Sequence, residues 1–307
     1  MKIQANGLSI EVDDPGGAGE PVLLLMGLGG QLIHWPAALI DALTAAGYRP
    51  IRMDNRDAGL SDHLSHLGRP RMGSVAAWFT AWLGLRARAP YSLSDMAQDA
   101  LGALDALGVA RAHVVGLSMG AMIAQRVALA APERVISLTS IMGSSGARGL
   151  LRPKAEALRV AASKPAGRDS QAFTRYYLRL LRAISSPTFP PSEDALRASL
   201  AQSAERSAPD DAATQRQTAA VLADGARAKE LGRIRAPTLV IHGRADPWVP
   251  LVCGEDTARR IPGARLAVIE DMGHDLAPVA HPEIVRRVLA ELLPFLRSVQ
   301  PATGAAA

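Results

Sequence analysis

Three residues far apart in the chain have the types and the setting for covalent catalysis at a carbonyl carbon: Ser118, Asp246 and His274. A serine hydroxyl at its own pKa is a poor nucleophile, so it needs a base, and the base needs an acid to hold its tautomer. Ser118 lies in Gly116-Leu117-Ser118-Met119-Gly120, a G-x-S-x-G pentapeptide. Before it, His113 to Val115 is a short β-branched run that reads as a buried strand. After it, Met119 to Ala131 is rich in Ala, Met and Leu and reads as a helix. A strand-to-helix turn that sharp pushes the serine hydroxyl out of the sheet and wants glycine two residues to either side. The first turn of the helix offers N–H groups and a favourable dipole to a developing oxyanion. In a chain with 27 glycines such a pentapeptide can arise by chance, so its surroundings must decide.

The surroundings supply a base and an acid in a workable chain order: serine, then acid, then histidine. Thr238 to Ile241 reads as a strand and runs into His242-Gly243-Arg244-Ala245-Asp246-Pro247. Arg265 to Ile269 reads as another and runs into Glu270-Asp271-Met272-Gly273-His274. In an open parallel sheet, ligands sit just outside such carboxyl ends. Taken singly, Asp246 is a turn residue before a proline and His274 a loop histidine; taken with the pentapeptide, they converge on one place. The other histidines fit less well. His113 is inside a strand, His242 precedes the acid, His281 opens the last helix, and His34, His63 and His66 precede the serine.

An oxyanion needs two preorganised N–H donors. Met119, directly after the nucleophile, is one candidate. The other is Leu28, in the loop Met26-Gly27-Leu28-Gly29-Gly30 that follows the apolar run Val22 to Met26. A structural reading of that loop is a glycine turn opening a helix. Asp54-Asn55-Arg56-Asp57-Ala58-Gly59-Leu60-Ser61 also sits past a strand. It reads as a turn in which the two acids are braced by Arg56 through charge-assisted hydrogen bonds, in preference to a catalytic group.

The elements that must position these residues follow from periodicity. Lys2 to Ala5 and Leu8 to Val12 flank Asn6-Gly7, a hairpin signal. Strands at 22–26, 49–54, 113–115, 135–142, 238–241 and 265–269 alternate with helical patterns, including one from Ser92 whose Asp95 completes a capping box. Residues 75–85, with Trp78, Phe79 and Trp82, read as a short apolar helix. Between 143 and 232 strands vanish and four helical periods follow, at 153–163, 170–184, 192–203 and 210–223. The expected division is an α/β core over 1–142 and 233–298, a helical cap over 143–232, and a frayed tail over 299–307.

Composition narrows the class. Apolar residues make up 48% and charged residues 21%, and no run approaches a membrane span. The net charge is +5 and arginine supplies 30 of the 34 basic residues, but they are scattered, with no basic run interleaved with aromatics, which argues against nucleic acid as partner. Cys253 is the single cysteine, so no internal disulfide or cysteine metal cluster can form. With a start that alternates like a strand and does not resemble a signal peptide, this points to the cytoplasm.

The motifs D-N-R-D-x-G-L-S, G-L-S-M-G and D-M-G-H resemble those of the aclacinomycin methylesterase group within the α/β-hydrolase-fold serine esterases, and the resemblance runs from Val22 to Leu296. It implies an α/β-hydrolase fold: a mostly parallel sheet of about eight strands with helices on both faces and an inserted cap. It implies a carboxylic ester hydrolase using Ser118, Asp246 and His274 and is not specific for substrate. The triad chemistry needs no cofactor or metal, and a cap that supplies an apolar pocket points to a small, apolar ester. Two other activities fit the same residues: perhydrolase or haloperoxidase chemistry with peroxide as acceptor, and a ligand receptor that turns over slowly.

Overall fold

The computed structural model describes residues 1–70, 89–163 and 170–299. The helix expected at 75–85, with Trp78, Phe79 and Trp82, and the tail beyond 299 lie outside the described residues. Among the described residues the strands are β1 (Lys2–Ala5), β2 (Leu8–Asp13), β3 (Glu20–Leu25), β4 (Tyr48–Met53), β5 (Ala112–Leu117), β6 (Val135–Ile141), β7 (Thr238–Gly243) and β8 (Arg265–Ile269). The helices are α1 (Ala37–Ala45), α2 (Leu93–Ala106), α3 (Met119–Ala130), α4 (Ala155–Ala162), α5 (Ser170–Ile184), α6 (Glu193–Arg206), α7 (Asp211–Ala223), α8 (Leu251–Arg260) and α9 (Pro282–Ser298).

The strands form one sheet in the order β1-β2-β4-β3-β5-β6-β7-β8. β1 and β2 run antiparallel to their neighbours, and every pairing from β4 to β8 is parallel. The hairpin between β1 and β2 turns at Asn6 and Gly7, both with positive φ (51° and 75°), the backbone that an Asn-Gly pair accepts at least cost. The central strands are apolar throughout because both faces are covered. Along β3, Val22 and Leu24 pack with Leu39 and Leu43 of α1 and Val288 and Leu292 of α9. Leu23 and Leu25 point the other way, to Met96 and Leu104 of α2 and Ile123 and Val127 of α3. Ser92 caps α2, accepting from Asp95 N–H (3.1 Å) while its own N–H donates to the Asp95 carboxylate (2.7 Å).

Register brings the strand ends level. Leu25 pairs with Gly116, Leu117 with Ile141, Ile141 with Ile241, and Gly243 with Ile269. The loops after β3, β5, β7 and β8 therefore leave the sheet on one edge. Helices α4 to α7 all lie in the chain between β6 and β7. No helix among the described residues is long and apolar enough to cross a membrane.

Candidate active site

Ser118 stands between the last residue of β5 and the first of α3 with φ 54° and ψ −116°. That left-handed conformation costs a non-glycine residue about 1–3 kcal/mol and persists only where its surroundings fix it. Here Ser118 N–H donates to Ile141 O (2.8 Å), and Ser118 O accepts from Ala121 (3.0 Å) and Met122 (3.3 Å). The glycines on either side are required by space. A Cβ on Gly116 would stand 2.2 Å from Gly120 O, and one on Gly120 would stand 2.0 Å from Leu25 O.

His274 bridges the other two candidates. Its Nε2 lies 2.9 Å from Ser118 Oγ and its Nδ1 2.7 Å from Asp246 Oδ2. The second carboxylate oxygen of Asp246 accepts from Trp248 and Val249 N–H, each at 2.8 Å. The Asp246 side chain is fully buried and that of His274 is 10% exposed. An ionised carboxylate only accepts, so His274 Nδ1 carries the proton and Nε2 is left to accept from the Ser118 hydroxyl. The His274 backbone is fixed as well, its N–H donating to Ile184 O (2.7 Å) at the end of α5.

Met119 opens α3, where first-turn N–H groups have no partner within the helix. The loop of Leu28 passes close to the serine: a Cβ on Gly27 would lie 3.3 Å from Ser118 Cβ. In that loop Gly29 N–H donates to Gln217 Oε1 (2.8 Å) and Gly30 N–H to Gly27 O (3.1 Å), whereas Leu28 N–H donates to no group among the described residues.

The acids of Asp54–Ser61 are braced, but not by Arg56 as expected from sequence. Arg56 instead makes a bidentate pair with Asp99 on α2 (2.6 Å at both oxygens). Asp54 accepts from Leu32 and Leu60 N–H and pairs with Arg206 of α6 (2.7 Å). Asp57 pairs with Arg216 of α7 (2.6 and 2.8 Å). Side chains one and two places from Arg56 leave this tight turn in different directions, so each finds a partner from a distant segment. Asp271 is also engaged away from His274, accepting from Thr188 Oγ1 (2.9 Å).

Sequence reasoning missed Asp275. It follows His274 and looks like a surface acid, but it is only 3% exposed. Its Oδ2 accepts from Ser186 N–H (2.6 Å), and its Oδ1 has no partner among the described residues. Burial pushes this carboxyl from 3.8 up to about 6. In that window the folded protein keeps a proton that the unfolded chain has released, so stability falls as pH rises through it. Asp275→Asn retains an oxygen for Ser186 N–H and does not titrate. Its stability relative to the parent is expected to rise by about 2 kcal/mol between pH 4 and 7, read from denaturant melts at each pH. A difference independent of pH would show that Asp275 titrates in the ordinary range.

A family profile described as alpha/beta hydrolase fold matches residues 20–279. The chain belongs to the α/β hydrolase fold family. Among its relatives is the rhodomycin D methylesterase DauP of Streptomyces sp. (strain C5), 31% identical over 300 residues, covering 91% of this chain and 92% of that one. A protein of Mycobacterium tuberculosis named as a non-heme bromoperoxidase, BpoC, is 28% identical and covers 94% and 97%. The structure of the meta-cleavage product hydrolase CumD from Pseudomonas fluorescens IP01 superposes with a TM-score of 0.70 at 21% identity, covering 98% of each chain. At that identity the last comparison speaks for the fold alone. In this α/β hydrolase the sheet order, the strained serine after β5 and the loops after β7 and β8 meet at one edge.

Proposed function

We propose that this α/β hydrolase cleaves a small carboxylic ester through an acyl-enzyme on Ser118. The observation that carries the reading is the unbroken relay from Ser118 Oγ through His274 to the buried Asp246. In this reading Ser118 Oγ bonds to the carbonyl carbon while its proton passes to His274 Nε2. Asp246 holds the imidazole tautomer and stabilises the imidazolium. The carbonyl oxygen becomes an oxyanion held by the N–H groups of Leu28 and Met119. Collapse breaks the bond to the alcohol oxygen, which takes the proton from His274. Water then repeats the sequence on the acyl-enzyme and releases the acid. No cofactor is needed.

The relationship to DauP supports a methyl ester as the first substrate class to try. The insertion, residues 143–232, acts in this reading as a cap that supplies an apolar pocket wall. Its support is the contact of Ile184 with His274 and of Gln217 with the Gly29 loop. A fluorophosphonate probe is expected to label Ser118, located by mass spectrometry. An adduct on a different serine, or none on folded protein, would remove the assignment. The relationship to BpoC gives perhydrolysis by the same residues as a second reading. Assaying peracid formation beside hydrolysis of methyl and p-nitrophenyl esters separates the two.

A further inference from the structure

The loop that carries Leu28 is short, and two of its four residues between 27 and 30 stand against groups from elsewhere. At its start, Met26 O accepts from Asn55 Nδ2 (2.9 Å). At its far side, Gly29 N–H donates to Gln217 Oε1 (2.8 Å). The other end of that amide, Gln217 Nε2, donates to Arg56 O (2.8 Å), the residue after Asn55. The chain of bonds thus closes on itself, from Met26 through Asn55 and Arg56 to Gln217 and back to Gly29. Gln217 has no exposed surface, and Thr214, one turn earlier on α7, faces the same glycine: a Cβ on Gly29 would meet Thr214 Oγ1 at 3.5 Å. The amide orientation is fixed by chemistry, because Gly29 offers a donor and Arg56 an acceptor. Gly29 has φ +64°, a backbone conformation that glycine adopts without the strain a side chain would bring.

We propose that Gln217 is a positioning residue for the oxyanion site: its side-chain amide ties the Gly27–Gly30 loop to α7 and to the Arg56 turn, so that Leu28 N–H is held unpaired and aimed before substrate arrives. Gln217 touches no reacting atom and acts through the loop. This rests on the esterase reading above for its catalytic consequence, and on the hydrogen bonds alone for the anchoring.

The test compares Gln217→Met, which keeps the volume and loses both bonds, with Gln215→Met, the same change two residues away on α7. Gln217→Met is expected to lower kcat on a p-nitrophenyl ester about 10- to 100-fold with little change in KM, because misplacing or losing one oxyanion donor acts on the transition state. Labelling of Ser118 by fluorophosphonate should slow by a similar factor, and hydrogen exchange at the bonded amides of Gly29 and Gly30 should accelerate. Gln215→Met should change none of these. Gln217→Glu supplies a rescue: a protonated carboxyl has one donor and one acceptor like the amide, whereas an ionised one has no donor. Its kcat relative to the parent should therefore fall as pH rises while the protein stays folded. A Gln217→Met protein that is folded and keeps parental kcat, or parental exchange in the loop, overturns the proposal. If the parent neither labels at Ser118 nor hydrolyses any ester, the esterase reading fails by itself. Exchange in the loop then decides the anchoring, with acceleration supporting it and no change overturning it.

Discussion

Asp246→Asn is expected to leave the protein folded and to lower kcat on the order of 10⁴-fold, the loss seen when a serine hydrolase holds its histidine in the wrong tautomer. Asp246 Oδ1 sits between two N–H donors, Trp248 and Val249, at 2.8 Å each. An asparagine must present its oxygen there, since its NH₂ would face two donors. The NH₂ then falls where Oδ2 now accepts from His274 Nδ1 (2.7 Å). To pair with it, Nδ1 must lose its proton and Nε2 must carry one, so Nε2 can no longer accept from Ser118. The other acids near these strand ends, Asp54, Asp57 and Asp271, are all engaged elsewhere. Steady-state kinetics on the folded variant checks this. Activity within about tenfold of the parent would move the orienting role to another residue.

Asp57→Ala should cost about 3 kcal/mol of stability, the low end of the penalty for removing one partner of a buried ion pair, because Arg216 keeps Asp210 at 3.6 Å and Gly68 O at 3.0 Å. Arg216 is 1% exposed and makes two bonds to Asp57, which also accepts from Tyr91 OH and Leu64 N–H, both at 2.8 Å. Burial alone would raise the Asp57 carboxyl, but Arg216 and Tyr91 outweigh it and hold it below the ordinary range. The pair therefore stabilises the fold above the ordinary carboxyl range, and that contribution fades as pH falls through the depressed folded value. Adding Arg216→Met to Asp57→Ala should recover part of the loss, because the stranded cation is then gone. Urea melts of the single and double variants measure both effects. A single variant within about 1 kcal/mol of the parent would show that Asp210 or water compensates Arg216 in its place.

The convergence of Ser118, Asp246 and His274 is legible from sequence because each lies a few residues past a strand whose apolar run is unmistakable. Parallel pairing then sends those strand ends to one edge. The hairpin at Asn6-Gly7 and the cap at Ser92 are legible for the same reason: their chemistry is local. The arginine pairings are not. Arg56 has acids on either side in sequence, and its partner, Asp99, is 43 residues away. Asp54 and Asp57 draw theirs from 152 and 159 residues away. Gln217 carries no signal beyond a polar residue on a weakly amphipathic helix, and Asp275 none beyond its place after a histidine. In each case the partner is chosen by packing between segments that no local period relates.

The segment after α5 lies against the histidine loop so closely that a Cβ on Gly273 would stand 2.4 Å from Ser185 C, with His274 N–H bonded to Ile184 O and Ser186 N–H to Asp275. For anyone building hybrids of related enzymes, this makes the ends of β6 and β7 false breakpoints. A foreign insertion joined there would arrive with its own residues at 184–186 and meet a host loop at 273–275 shaped for others. The imidazole would be displaced although every catalytic side chain came from the host. The exchangeable unit is discontinuous: an insertion must travel together with the five or six residues that follow β8.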